Sequence, residues 1–189
     1  GIVSCHHQVE CLLILGNIGH IEINQLHHRL KILRSGSTAQ TVTEGREREI
    51  YTTLLTGKRL LITGVLSNRS IAYGIAKACH REGAELAFTY VGERFRDRVA
   101  AFAAEFGSSL CLEMDVSSDE QIQAVTEKLR NEWGYLDGFV HSIGFAPREA
   151  IAGDFLSGLS RSGFRTAMDI STYSFPALAQ AFLPLMQGR

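Results

Sequence analysis

The stretch KRLLITGVLSNRSIAYGIAKACHREGAELAFTYV, from Lys58 to Val91, changes its pattern twice. KRLLIT is an apolar run of strand length, and ELAFTYV is a second one. Between them, the residues after Ser70 carry apolar side chains at helical spacing, and Gly83 follows as the expected end of that helix. The predicted buried face contains Ile71, Ile75, Ala78 and Cys79. A strand, a helix and a strand in this order predict a parallel pair joined by a crossover helix.

The alternation continues to Gly144. A helix is predicted over Glu93–Phe106, a strand over Ser109–Val116, and a fourth strand over Asp137–Gly144. Ser117 is the expected cap of the third helix, whose predicted buried residues are Ile122, Val125, Leu129 and Trp133. The predicted fold class is therefore α/β, a Rossmann-type doubly wound parallel sheet that stops after the fourth strand and the following helix. Ligands of such sheets bind beyond the carboxyl ends of the strands.

The first 56 residues differ from the rest in composition, since five of the seven histidines lie within the first 28. One interpretation is a metal site, because histidine and cysteine are zinc ligands. Its members would be Cys5, His6, His7, Cys11, His20, His27 and His28. No CxxC pair occurs, and the spacing matches no common zinc motif. We therefore expect no metal site, a disordered or non-native leader over residues 1–56, and half of a dinucleotide-binding domain over residues 57–189.

Composition excludes several classes of function. The 189 residues include 19 basic and 20 acidic side chains, so no strong overall charge attracts nucleic acid or an anionic membrane. The apolar run from Cys11 to Leu15 is far shorter than the roughly 20 residues of a membrane span. Four irregularly spaced cysteines indicate free thiols in a reducing compartment, and no signal peptide is evident. We expect a cytoplasmic protein without nucleic-acid or membrane partners.

The loop after the first strand has the chemistry of a phosphate site. Gly64 allows a tight turn, Ser70 is suited to cap the helix or to donate its hydroxyl, and Ala72 allows close packing on the sheet. Helix amides behind such a loop attract a pyrophosphate. Nine residues separate Gly64 from Gly74, however, so an ordinary turn without a ligand remains an alternative.

The other strand ends carry further candidates. Asp115 is placed where its carboxylate could accept from an adenine amine, although a turn or capping role is the alternative. The small groups of His141–Gly144 would let a ribose and a nicotinamide lie against the backbone. For His141 itself we expect a packed or hydrogen-bonded strand residue and not a catalyst.

Four segments carry a family resemblance: TGVLSNRSIAYGIA, HREGAELAFTY, MDV and DGFVHSIGFAP. Together they closely resemble the NADH-dependent enoyl-acyl-carrier-protein reductases, a divergent branch of the short-chain dehydrogenases/reductases, from about Gly57 to the end of the chain. The resemblance implies hydride transfer from NADH to the beta carbon of a trans-2-enoyl thioester. It also implies an acyl-carrier-protein-bound substrate and, for a complete chain, a homotetramer.

The resemblance also implies roles for individual residues. Gly64, Ser70 and Ile71 would hold the pyrophosphate, and Asp115 and Val116 the adenine. On the nicotinamide side would lie Ser142, Ile143 and Gly144, with Phe145 and Ala146 at the border of the acyl pocket. Val91 departs from a position that is often polar beside the ribose, and Glu93 and Arg94 offer opposite charges nearby, so NADPH remains an alternative to the favoured NADH.

Two departures concern catalysis and the last helix. The family's Tyr-x6-Lys pair lies after the fifth strand, whereas this sequence ends at Arg189, and no lysine follows Tyr173. We therefore expect no catalytic residues here, an apolar edge on the fourth strand, and weak or no turnover by the chain alone. Pro176 also falls within the predicted helix DISTYSFPALAQAF. Alternatives are another short-chain reductase, which HSIGFAP disfavours, and a non-catalytic NAD-binding module.

Overall fold

A computed structural model describes residues 12–15 and 53–189, the former by their backbone alone. The seven histidines and cysteines considered as metal ligands, and most of the predicted leader, lie outside these residues. The leader and the domain boundary near residue 57 therefore stay predictions.

The sheet of the described residues has five strands, in the spatial order β1-β5-β2-β3-β4. The strands are β1 (Leu12–Leu15), β2 (Arg59–Ile62), β3 (Glu85–Tyr90), β4 (Cys111–Glu113) and β5 (Gly138–His141). β2 is parallel to both β3 and β5, and β3 is parallel to β4. Taken in chain order, these four strands have the 3-2-1-4 arrangement of a doubly wound sheet. The predicted fold class is confirmed.

The edge of β5 differs from the prediction of an open, apolar edge. β1 pairs with β5 in antiparallel register, from Leu12 opposite His141 to Leu15 opposite Gly138. Backbone groups at a buried sheet edge need hydrogen-bond partners, and β1 supplies them along β5.

Seven helices follow or connect the strands of the described region. They are α1 (Ile71–Arg81), α2 (Arg96–Glu105), α3 (Asp119–Trp133), α4 (Arg148–Ile151), α5 (Phe155–Gly158), α6 (Arg161–Met168) and α7 (Ser174–Met186). A short 3-10 helix, Glu93–Phe95, precedes α2, and a π-helical turn, Asp169–Tyr173, joins α6 to α7.

The sheet separates two apolar clusters, because alternate residues of a strand face opposite sides. One cluster contains Leu61 and Phe139 together with buried residues of α3 and α7. The other contains Leu60, Ile62 and Val140 together with buried residues of α1 and α2. Helices on both faces leave the ends of the parallel strands as the accessible parts of the sheet.

The buried faces of two helices can be compared with the faces predicted from apolar spacing. In α3, the four predicted core residues, Ile122 to Trp133, are all buried. In α1, the predicted face is right only in part: Cys79 is buried and Ile75 is partly buried, but Ile71 is 47% exposed and Ala78 is exposed. Ala72 and Ala76 are buried instead. Alanines let the α1 backbone approach the sheet closely, and the larger Ile71 therefore remains at the rim.

Pro176 falls in the first turn of α7, immediately after the π-helical turn. A proline has no amide hydrogen to donate, and the wider π turn changes the local hydrogen-bond pattern just before it. The helix predicted as one element is therefore divided at Ser174, and α7 tolerates its early proline.

Candidate functional site

The carboxyl ends of β2 and β5 lie side by side, at the point where the strand order reverses. Thr63, directly after β2, joins these ends through its buried side chain. Its Oγ1 donates to the Val140 carbonyl at 2.8 Å and accepts from the Ser142 amide at 3.2 Å. The hydroxyl thus extends the pairing of the two strands by one residue. Ligands of doubly wound sheets bind in the crevice at this reversal.

Gly64 brings the loop after β2 into contact with the end of β5. Its φ is +81°, in the left-handed region that favours glycine. A Cβ atom added to Gly64 would overlap the carbonyl oxygen of Ser142. Glycine is therefore required here twice, by the backbone angle and by the close approach of two chain segments.

Ser70 ends this loop and caps α1. Its Oγ accepts from the Tyr73 amide at 3.3 Å and donates to the Ser67 carbonyl at 2.7 Å. The capping function considered for this hydroxyl is therefore present, and its proton is used by the Ser67 carbonyl within the loop. Ile71 and Ala72 follow as the first helical residues, so their amides lie at the positive end of the helix dipole. This is the environment that an anion requires.

Asp115 follows β4 and forms a turn. Its Oδ1 accepts from the amide of Ser117 at 2.9 Å and from the Ser117 hydroxyl at 2.6 Å, and its own amide donates to Gln121 at 2.7 Å. The turn role considered for this aspartate is thus observed. The neighbouring Val116 is buried. The expected helix cap at Ser117 is wrong by one residue, because Ser118 accepts from the Gln121 amide and caps α3.

The residues after β5 form an irregular segment, Ser142 to Pro147, that runs to the start of α4. Ile143 packs partly against the apolar cluster around Phe139. Phe145 is 51% exposed, yet its backbone is held: its amide donates to Ser171 Oγ at 2.9 Å, and Ser171 Oγ donates to its carbonyl at 3.1 Å.

His141, the last residue of β5, is buried and lies 2.7 Å by its Nε2 from Ser174 Oγ. Desolvation by burial lowers the pKa of the imidazole, against a smaller opposing effect of a backbone hydrogen bond. The expectation of a packed, hydrogen-bonded histidine is confirmed.

Three hydroxyls at this end of the sheet were missed by the sequence reasoning: Thr63, Ser171 and Ser174. Thr63 looked like the last residue of a strand, and the two serines looked like polar positions of a helix. Only the early Pro176 signalled that the segment was unusual.

The described residues include no helix long and apolar enough to cross a bilayer. Within the same residues, no group of three histidine, cysteine, aspartate or glutamate side chains could hold a metal ion.

Most of the chain, including the strand ends described above, is similar to known proteins. The family model described as "Enoyl-(Acyl carrier protein) reductase" matches residues 64–189. Over 135 residues the chain is 58% identical to the enoyl-(acyl-carrier-protein) reductase (NADH) FabI of Neisseria meningitidis serogroup B, covering 71% of this chain and 52% of that protein. With the corresponding protein of Escherichia coli K12 it shares 54% identity over 127 residues, which cover 67% and 48% of the two chains.

Two crystal structures share the fold. The enoyl-(acyl-carrier-protein) reductase (NADH) of Aquifex aeolicus is similar at a TM-score of 0.70 and 54% identity, covering 72% of this chain and 59% of that one. A reductase from Anaplasma phagocytophilum, solved in complex with NAD, is similar at a TM-score of 0.67 and 40% identity, covering 71% and 51%. The chain spans about half the length of the curated relatives it matches.

Proposed function

The chain belongs to the enoyl-(acyl carrier protein) reductase family, and we propose that it is the cofactor-binding half of a reductase of fatty-acid biosynthesis. NADH is the proposed cofactor, because the curated relatives named above are described as NADH enzymes and a structural neighbour was solved with NAD. The bound dinucleotide would supply the hydride that reduces the beta carbon of a trans-2-enoyl thioester.

The contact between Gly64 and Ser142 is the observation that carries this proposal. A pyrophosphate needs backbone amides, a close approach of the chain and a helix N-terminus behind it. The loop at Gly64 meets these requirements, with α1 behind it and the end of β5 against it.

In the proposed site, Gly64, Ser70 and Ile71 hold the pyrophosphate through the loop and the first turn of α1. Asp115 and Val116 border the adenine, where the turn at Ser117 fixes one oxygen of the Asp115 carboxylate. The two groups of residues come from different strand ends: the loop at Gly64 follows β2, and Asp115 follows β4, which lies two strands away in the sheet.

Ser142, Ile143 and Gly144 form the proposed nicotinamide side, and Phe145 and Ala146 border the acyl group. The half-exposed Phe145 ring supports an apolar wall at this position, because exposed apolar surface beside a polar crevice is typical of ligand sites.

The proposed substrate is an enoyl group on acyl carrier protein, and the proposed assembly of the complete protein is a homotetramer in the cytoplasm. The free thiols of Cys79 and Cys111 support a reducing compartment. We further propose that residues 57–189 are the family domain, that residues 1–56 are a separate leader, and that these 189 residues alone have little or no reductase activity.

Titration of the 189-residue chain with NADH, followed by nicotinamide fluorescence, tests the cofactor assignment. Gly64→Ala should reduce the affinity on the order of 100-fold, because the methyl group meets the Ser142 backbone and the φ angle is unfavourable for alanine. Gly107→Ala is the matched control: it has a similar φ of +68° and no atoms near the added methyl group. Equal affinities of the two variants would contradict the proposal.

Enoyl-thioester reduction is measured separately, as NADH oxidation in the presence of crotonyl thioester. We expect NADH binding without appreciable turnover. Oxidation at an ordinary enzymatic rate would show that the chain alone is a complete catalyst.

A further inference from the structure

Two serines, three residues apart, contact β5 and the segment that follows it: Ser171 lies in the π-helical turn, and Ser174 is the first residue of α7. Ser171 Oγ bonds both backbone polar groups of Phe145, at 2.9 Å from the amide and 3.1 Å from the carbonyl oxygen. The single hydroxyl of Ser171 therefore pairs with both the amide and the carbonyl of Phe145, a residue that lies beyond the sheet and has no strand partner to fix its backbone.

Ser174 holds the other end of the same segment. Its hydroxyl donates to the Ile170 carbonyl at 2.6 Å, so its proton is used, and the His141 ring at 2.7 Å must donate from Nε2. Nε2 of the buried imidazole is thereby the donor in this contact. Its ring also packs edge-on against Phe175, with 5.7 Å between centroids.

The two contacts bracket residues 142–144, which belong to no strand or helix. Thr63 adds a third contact, through the Ser142 amide. An irregular segment with fixed ends has few conformations available, so a ligand that binds to it loses little conformational entropy in ordering it.

We propose that Ser171 is a positioning residue of the site, which holds Phe145 so that residues 142–144 are ordered before the dinucleotide binds and the Phe145 ring stands as a wall for an apolar acyl group. This inference rests on the proposed function. Ser171 acts through Phe145, and no contact of Ser171 with a ligand is required. Ser174 holds the other end of the same segment through its contact with His141.

The π-helical turn has a physical role in this arrangement. Ser171 lies within this turn and Ser174 directly follows it as the first residue of α7, whose regular geometry then buries Leu178 and Phe182. Single π turns occur frequently at functional sites.

Three variants of the 189-residue chain test the role of Ser171. Ser171→Ala removes the hydroxyl, Ser171→Thr retains it, and Thr172→Ala removes a neighbouring hydroxyl whose contact is with Met168 Sδ at 3.7 Å. The measurements are hydrogen exchange of the Phe145 amide by NMR, NADH affinity by fluorescence, and the thermal midpoint.

For Ser171→Ala we expect Phe145 exchange to accelerate by at least about tenfold and NADH affinity to fall roughly fivefold, because both hydrogen bonds that hold Phe145 are lost. Ser171→Thr should restore both values. Thr172→Ala should leave both unchanged, and all three thermal midpoints should stay close to that of the unaltered chain because Ser171 is only partly buried and Phe145 is half-exposed.

Unchanged Phe145 exchange in Ser171→Ala would overturn the positioning role, and so would an equal loss of affinity in Thr172→Ala. Failure of the unaltered chain to bind NADH would instead overturn the proposed function. Because the exchange measurement needs no ligand, the two failures are distinguishable.

Discussion

The two ends of the parallel sheet use different chemistry. At the amino end, charged side chains of Lys58, Arg59 and Asp137 pair with one another and with residues nearby. At the carboxyl end, Thr63 and Ser171 join chain segments through hydroxyl and backbone groups. The first end holds strands together by charges that are already neutralised. The second offers backbone amides and a glycine turn, the groups with which the proposed site would bind an anionic dinucleotide.

Asp137 is the centre of the charged end and is almost completely buried. Burial alone raises the pKa of its carboxyl group, but the Arg59 amide, the Lys58 ammonium and the Arg189 guanidinium outweigh it and leave the pKa below its ordinary value. Lys58 Nζ lies 3.0 Å from Oδ1, and the Arg59 amide lies 2.9 Å from Oδ2. The carboxylate therefore joins the starts of β2 and β5.

Tyr135 completes the charged end. The guanidinium carbon of Arg189 lies 3.6 Å from the centre of its ring, and that of Arg59 lies 4.6 Å away. Both arginines also pair with carboxylates, Arg59 with Glu85 and Arg189 with Asp137. Because their charges are already paired, these arginines stabilise the fold and offer no free charge to a ligand.

The comparison predicts that changes at the charged end alter stability and leave NADH affinity intact. Asp137→Ala should have the largest effect, lowering the free energy of unfolding by about 3 kcal/mol, because Lys58 and Arg189 lose their partner and the Arg59 amide its acceptor. Urea unfolding measures this loss. Glu127→Ala, which breaks an exposed pair with Arg130, should cost less than about 0.5 kcal/mol.

The same carboxylate should make stability depend on pH in acid. Its pKa is lower in the folded chain than in the unfolded one, so its contribution is complete above the unfolded value of about 3.9 and is lost as pH falls through the folded pKa. Between about pH 5 and pH 2, a range that spans this value, the urea midpoint should decline less steeply for Asp137→Ala than for the unaltered chain. Parallel curves would show that Asp137 has the same pKa in both states.

At the carboxyl end, a substitution should alter stability and affinity together. Thr63→Val retains the shape but removes the hydroxyl between Val140 and Ser142, and we expect a loss of about 2 kcal/mol in unfolding free energy with weaker NADH binding. Thr63→Ser should preserve most of both. A loss of stability without any loss of affinity would erase the difference between the two ends.

Ser70→Ala should have a smaller effect on stability, about 1 kcal/mol, because α1 loses its cap. Ser160→Ala removes the equivalent cap of α6 and provides the control. Only the first variant should weaken NADH binding in a fluorescence titration. Equal affinities of both variants would place Ser70 outside the site.

The smallest effect is expected for Glu93→Gln. Glu93 pairs with Arg96 at 2.7 Å on the exposed turn after β3, so stability should change by less than about 0.5 kcal/mol. Loss of the negative charge should reduce the preference for NADH over NADPH by about threefold, since an acidic residue here disfavours the 2′-phosphate. Competition titrations with both dinucleotides measure this ratio, and an unchanged ratio would indicate that Glu93 does not face the ribose.

The sequence predicted the elements whose signals are local. The four parallel strands and the helices between them follow from apolar spacing, and the α3 face from Ile122 to Trp133 is buried as expected. Gly64 could be identified as a required glycine because a strand leads directly into its turn. The strand ends that became site candidates follow from the same alternation, since parallel strands end at one edge.

Other features depended on neighbours distant in sequence, and these only the tertiary structure decided. The exposure of Ile71 is one of them, because the sheet decides which side of α1 is covered. The partner of Ser171 is Phe145, 26 positions earlier, and Asp137 bonds Lys58 across 79 positions. Apolar periodicity records which side of an element faces the core, but it carries no information about which polar group on another element will lie within hydrogen-bond distance.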